Sequence, residues 1–154
     1  MVILGLDLGT TTGWALRDSH RPAWFVSDTW DLREAGDYVG DRMMSFHEQL
    51  VRLIDYEEVD AVAYEDVSFA VGQGGKIIGY QTGIVLAVCA AREILCGNVA
   101  VSTLKKHATG HGQAKKPDMI VAARKLGADP QDDNEADAIL VAEWMAHNIR
   151  AVAN

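Results

Sequence analysis

Residues 2–14 read VILGLDLGTTTGW, and one residue in that run is out of place. The stretch from Val2 to Leu8 is apolar and partly β-branched, the pattern of a buried strand, and Gly9 opens a turn. Asp7 sits inside it. Burying an unpaired carboxylate costs several kcal/mol, so a charge at that position calls for a partner. The same oddity recurs twice. Glu65 closes the apolar run of residues 59–65, and Asp137 falls in the first turns of the apolar segment ADAILVAEWMA at residues 136–146. Acids at two strand ends and a helix start can converge into one cluster of oxygens. Such a cluster repels itself unless cations neutralise it, and hard Mg²⁺ takes oxygen ligands of this kind. Each acid also has a plainer reading. Asp7 can cap a turn, Glu65 can be a surface acid beside Glu57, Glu58 and Asp60, and Asp137 can complement a helix dipole. Asp132 and Glu135 carry the spacing of a helix-capping box, a structural role.

Outward from these anchors, the chain alternates regular segments. Strands are expected at residues 2–7, 12–17, 23–32, 59–65 and 98–102. Helices are expected at 39–54, 77–95, 117–125 and 133–150, the third opened by Pro117, a favoured first-turn residue. Three strands followed by alternating helices and strands predict a mixed sheet, antiparallel on one side and covered by helices. The glycine-bearing VGQGGK (residues 71–76) and the basic stretch after residue 102 read as loops. Along the helix of 77–95, Gly79, Gly83, Ala87 and Ala90 or Ala91 form a face of small residues that admits another backbone, from the sheet or from a second subunit.

With 154 residues, 49% of them hydrophobic and 23% charged, the chain is expected to form one domain over residues 1–154. Neither a signal peptide nor a membrane span is expected, since the amino terminus carries no positive leader and the longest apolar run covers only residues 84–91. Cys89 and Cys96, seven apart in an expected helix, are too distant for a disulfide there, and reduced thiols suit the cytoplasm. The net charge of −8 argues against a nucleic-acid partner, but its distribution reverses the argument. Residues 27–66 hold twelve acidic and three basic side chains, whereas residues 104–125 hold six basic and one acidic. That separation can still present one positive face.

The motifs themselves resemble those of a known family. Asp7-Leu8-Gly9-Thr10-Thr11-Thr12-Gly13-Trp14 is similar to the first-strand motif of RuvC-type Holliday-junction resolvases, of the RNase H-like superfamily. Tyr64-Glu65-Asp66-Val67 resembles their fourth-strand glutamate, residues 103–116 their basic loop, and Asn134-Glu135-Ala136-Asp137-Ala138 their helix-borne acids. The resemblance runs through nearly the whole chain in the family's order. It implies an α/β fold with a five-stranded mixed sheet flanked by helices. It also implies a homodimer that nicks branched DNA, four-way junctions among them, in recombination and repair, in a bacterial or phage setting. Asp7, Glu65 and Asp137 would bind two Mg²⁺ ions, with Mn²⁺ able to substitute, and Lys116 would assist catalysis. Lys105, Lys106, Lys115 and Lys116 would contact DNA. Asn134 stands where bacterial members usually carry an aspartate, so Asp133 and Asn134 are both candidates for the fourth ligand. Phe69 follows Glu65 by four residues rather than three, and is either the aromatic that wedges into a junction or a core residue.

Three other readings compete. An ATP phosphate-binding domain of the actin and sugar-kinase superfamily shares the Asp-x-Gly-Thr-Thr motif but needs two lobes, more than 154 residues supply. A module that binds branched DNA without cutting it is kept open by Asn134. A zinc site at His107 and His111 lacks further ligands and falls in an expected loop.

Overall fold

A computed structural model of the chain describes residues 1–21, 23–66 and 72–153. Strands β1 (Val2–Asp7), β2 (Thr11–Asp18) and β3 (Phe25–Asp31) form an antiparallel meander, closed by a short 3-10 turn at Leu32–Ala35. Helix α1 (Val39–Tyr56) then leads to β4 (Ala61–Asp66), and α2 (Gly72–Ala91) to β5 (Leu95–Ala100). Helices α3 (Val101–Thr109), α4 (Lys116–Lys125) and α5 (Asp133–Val152) complete the chain. The sheet order is β3-β2-β1-β4-β5, with β4 parallel to both β1 and β5. The expected five-stranded mixed sheet is therefore present.

Strand alternation divides the apolar residues between two cores. Leu4, Leu6, Leu16 and Val62 point to one face and are covered by α1 and α2, with Phe46, Leu50 and Ile54 of α1 at helical spacing. Ile3, Ala15, Ala61 and Ala63 point to the other face, where α5 lies flat on the sheet, with α3 beside it on β4 and β5 and α4 packed on these two helices. Two glycines set how closely α5 approaches. A Cβ on Gly5 would overlap the Ala138 carbonyl and the Ala142 amide, and one on Gly13 would overlap the Asn134 carbonyl. The absence of side chains there lets helix backbone rest directly on strand backbone. Arg17 of β2 and Glu143 of α5 form a buried ion pair across the same contact.

The structure corrects the expected elements at the second half of the chain. Residues 72–76 are not a loop, since α2 already begins at Gly72, and it stops at Ala91 rather than 95; residue 71 of the expected loop lies outside the described residues. A turn follows in which Glu93 takes φ 54, and β5 starts at Leu95, three residues earlier than expected. Ile94 and Leu95 continue the helical spacing of α2, which hid the break. Cys96 thus lies on β5, not on the helix, and its sulfur accepts from the Cys89 thiol, so the helical separation expected of the two sulfurs does not hold. Both cysteines are free. Residues 101–109 are a helix rather than a strand end and a loop. Their β-branched Val101 and Thr103 favour a strand locally, but burial of Leu104 wins. Gly110 at φ 83 ends that helix in the left-handed conformation glycine adopts freely. By length and composition alone α2 could span a membrane from Gly74 to Ala91, yet Gln81, Val85, Val88 and Cys89 are buried within the fold.

Candidate active site

The register places the acids. Leu6 of β1 pairs with Tyr64 of β4, both facing the α1–α2 side. Asp7 and Glu65 each come one residue later, so both turn to the opposite face, at the carboxyl ends of adjacent parallel strands. In open α/β sheets that edge is where ligands collect. Asp137 comes to the same place from α5, one turn after the N-cap Asp132, because Gly13 admits the Asn134 backbone of the same helix end.

Electrostatics tie the three together. Burial first, then the charges of Asp137 and Glu65, push the Asp7 carboxyl up to about 8. Burial and the Asp137 charge push Glu65 up to about 7. Burial and the Asp133 charge push Asp137 up to about 6. Desolvation disfavours each anion, and each anion disfavours the others. Such a cluster holds protons at neutral pH or takes up cations instead.

Two lysines flank it. Lys105 of α3 lowers the carboxyls of Glu65 and Asp137, and Lys116 at the start of α4 lowers those of Asp7 and Asp137. Lys116 also donates a hydrogen bond to the Asp133 carboxylate, which holds Asp133 below its ordinary range. Asp133 in turn raises both Asp7 and Asp137. Lys106 on α3 and Lys115, the N-cap residue of α4, are exposed beside Lys105 and Lys116. Asn134 differs from Asp133 in presenting its main chain to Gly13 and bringing no charge. Phe69 lies outside the described residues.

The donor set suits a hard divalent cation: carboxylate oxygens only, no thiol and no imidazole. The Asp137 Oδ1 atom is buried and has no hydrogen-bond partner among the described residues, an acceptor left unsatisfied. Among the described residues no three acidic, histidine or cysteine side chains meet at one point at ligand distance. Ionised carboxylates with no cation between them gain by standing apart. His107 and His111 do not pair. The His107 ring instead packs on His147 at 5.5 Å, away from zinc-like grouping.

The N-terminus of α5 is capped on one side only. The Glu135 amide donates to Asp132 Oδ1 at 2.9 Å, but the Glu135 carboxylate accepts from Ser27 Oγ at 2.8 Å rather than returning to the cap. The expected box is thus half formed, and Glu135 ties α5 to β3 instead. Sequence reasoning also missed Gln81, a fully buried amide of α2 that donates to the turn after Asp7. A lone amide in the apolar run of residues 77–91 was the available signal.

Comparison with known proteins decides the family. The family described as crossover junction endodeoxyribonuclease RuvC matches residues 3–147. The chain belongs to the RuvC family. A relative from Ruegeria pomeroyi, named crossover junction endodeoxyribonuclease RuvC, is 29% identical over 146 residues, covering 92% of this chain and 88% of that protein. A Thermus thermophilus RuvC structure superposes with a TM-score of 0.81 at 20% identity, over 98% of this chain and 96% of that one. The T. thermophilus RuvC in complex with a Holliday junction substrate gives 0.79 at 18% identity, over 99% and 96%. RuvC proteins are metal-dependent nucleases, which agrees with the carboxylate donor set found here.

Proposed function

We propose that the protein is a structure-selective endodeoxyribonuclease that nicks branched DNA, four-way junctions among them, using two Mg²⁺ ions. The observation that carries this reading is the convergence of Asp7, Glu65 and Asp137 into one desolvated cluster between Lys105 and Lys116. Asp7, Glu65 and Asp137 would hold the ions, with Asp133 as the fourth ligand in preference to Asn134, because only Asp133 adds negative charge to the cluster. When bound, the ions supply activation of water for in-line attack and stabilisation of charge on the departing 3′ oxygen.

The chain's own residues supply the rest. Asp7 and Glu65, fixed on paired strands, provide a rigid base. Lys116, now shared with Asp133, is placed to engage a phosphate instead and so release that carboxylate to the cluster. Lys105 sits across from it on α3. Lys106 and Lys115 extend the positive surface along the DNA backbone, and contacts of this kind position the substrate without reading its sequence. The junction-bound T. thermophilus RuvC shares this fold, which supports a branched substrate.

A homodimer through α2 completes the proposal. Cβ atoms added at Gly79 and Gly83 would meet nothing within 4 Å, and Tyr80 and Leu86 on this helix are 51% and 48% exposed. A two-fold dimer presents two sites to a substrate that needs two symmetric cuts. The test is a labelled four-way junction and a linear duplex of the same sequence, each incubated with the protein in Mg²⁺. Nicks confined to the junction are expected. A mobility shift with every strand intact would instead identify a non-cleaving binder.

A further inference from the structure

Between Asp7 and β2 the chain turns through Gly9, and that turn is tied to Thr12 of β2 by a buried triad. The Gln81 side chain of α2 is 0% exposed, as is that of Thr12. Gln81 Nε2 donates to the Gly9 carbonyl at 3.1 Å and to Thr12 Oγ1 at 2.8 Å. Thr12 Oγ1 donates in turn to the same Gly9 carbonyl at 2.8 Å. Both amide hydrogens, the hydroxyl hydrogen and both lone pairs of that carbonyl are therefore used, a closed set with one consistent assignment. What the triad grips is the two-residue exit from Asp7.

Stability alone does not explain it. Gln81 Oε1 is buried and has no hydrogen-bond partner among the described residues. An unpaired buried acceptor is costly, and an apolar side chain of the same size in this apolar helix would avoid that cost. The Gly9 carbonyl would still accept from Thr12 without Gln81. The amide thus adds constraint on the turn at the expense of packing energy, as expected where a carboxylate must be held in place. Gln81 is also on the helix whose outer face is offered to a second subunit, so the triad links that helix to the strand bearing Asp7.

We infer that Gln81 is a positioning residue for the nicking reaction, acting through Thr12 and Gly9 to fix the Asp7 carboxylate. This rests on the proposed metal-dependent nuclease reading. In Gln81→Leu the fold, thermal stability, dimerisation and junction affinity stay at parental values. The nicking kcat falls by about 10- to 100-fold, in the range expected for misplacing a catalytic group by an ångström or less. Mn²⁺ binding measured by calorimetry weakens by about tenfold, the low end of what losing a supporting hydrogen bond costs a metal site. Gln81→Met, a more pliable replacement, reports the same pattern if leucine disturbs α2. Thr12→Val reproduces the loss of kcat, and Thr12→Ser, which keeps the hydroxyl, recovers it to within about threefold, because the triad needs the hydroxyl rather than the methyl. The Gln81→Leu/Thr12→Val double variant is little worse than either single one, since the two act as a unit. Parental kcat and Mn²⁺ affinity in both Gln81 variants would overturn the inference. If the parent itself does not nick DNA, the nuclease reading fails separately, and the Mn²⁺ titration alone decides whether Gln81 positions Asp7.

Discussion

The acidic cluster should make the metal-free protein less stable as pH rises, and Asp7→Asn should remove much of that penalty. Asp7 moves from its ordinary 3.8 to about 8 on folding, Glu65 from 4.5 to about 7, and Asp137 from 3.8 to about 6. All three shifts are upward, so between about pH 4 and 8 the folded state holds protons that the unfolded state has released. Stability therefore falls as pH rises through that window, and levels off above it. One pKa unit corresponds to about 1.4 kcal/mol, so the Asp7 shift alone sets a ceiling of about 5 kcal/mol at pH 8. Burial is the largest part of that penalty and the charges of Asp137 and Glu65 the next, and because the three carboxyls titrate together, Asp7→Asn recovers only a share of the ceiling, about 2–3 kcal/mol. For a chain of this size that raises Tm by about 5–10 °C. The assay is thermal unfolding in chelator at pH 5, 6, 7 and 8. The parent loses stability steadily across the series, and Asp7→Asn shows a shallower loss and the higher Tm at pH 8. Adding Mg²⁺ reverses the ranking, because a cation that binds only the folded parent stabilises it by mass action. A variant less stable than the parent in chelator at pH 8, or a parent with no slope between pH 5 and 8, would refute the reasoning.

Three further outcomes follow from the packing and the charges. Gly13→Ala should cost about 1–3 kcal/mol by forcing α5 off β2, and should reduce nicking more than Gly9→Ala, whose Cβ meets only ordinary contact; chemical denaturation and a nicking time course measure both. Gly83→Leu should shift sedimentation toward monomer at micromolar concentration while leaving the far-ultraviolet circular dichroism unchanged, because its Cβ points into open space on the chain itself. Replacing Lys105 and Lys116 together by alanine should weaken binding to all branched substrates alike and flatten the log–log salt dependence by about two, one unit per lost phosphate contact. An unchanged slope would leave those lysines as solvated side chains.

The site's acids were legible because charge is expensive inside an apolar run. Asp7, Glu65 and Asp137 each broke such a run, and that local conflict pointed to one cluster before any geometry was known. The mixed sheet was legible through the period-two and period-3.6 patterns of its strands and helices. What escaped depended on tertiary packing. Leu104 draws residues 101–109 into a helix against their β-branched preference, and Ile94 and Leu95 disguise the end of α2 by prolonging its spacing. The thiol contact between Cys89 and Cys96 followed from that misplaced boundary. Glu135 had the right spacing for a capping box, but the hydroxyl of Ser27, 108 residues away in sequence, claims its carboxylate. Gly5 and Gly13 gave no sign that they seat α5, because a close approach of backbones leaves no mark on periodicity. The preference proposed for Asp133 over Asn134 rests on the placement of Lys116 and Gly13, which leaves no mark on the sequence pattern.

The central claim is that Asp7, Glu65 and Asp137 form a divalent-cation site, and anomalous scattering from Mn²⁺ in crystals tests it most directly. The account predicts anomalous density bounded by these three carboxylates in the parent, with Asp133 turned from Lys116 toward it, and its loss in Asp7→Asn. Well-ordered crystals at millimolar Mn²⁺ with no anomalous density between the three carboxylates would contradict it.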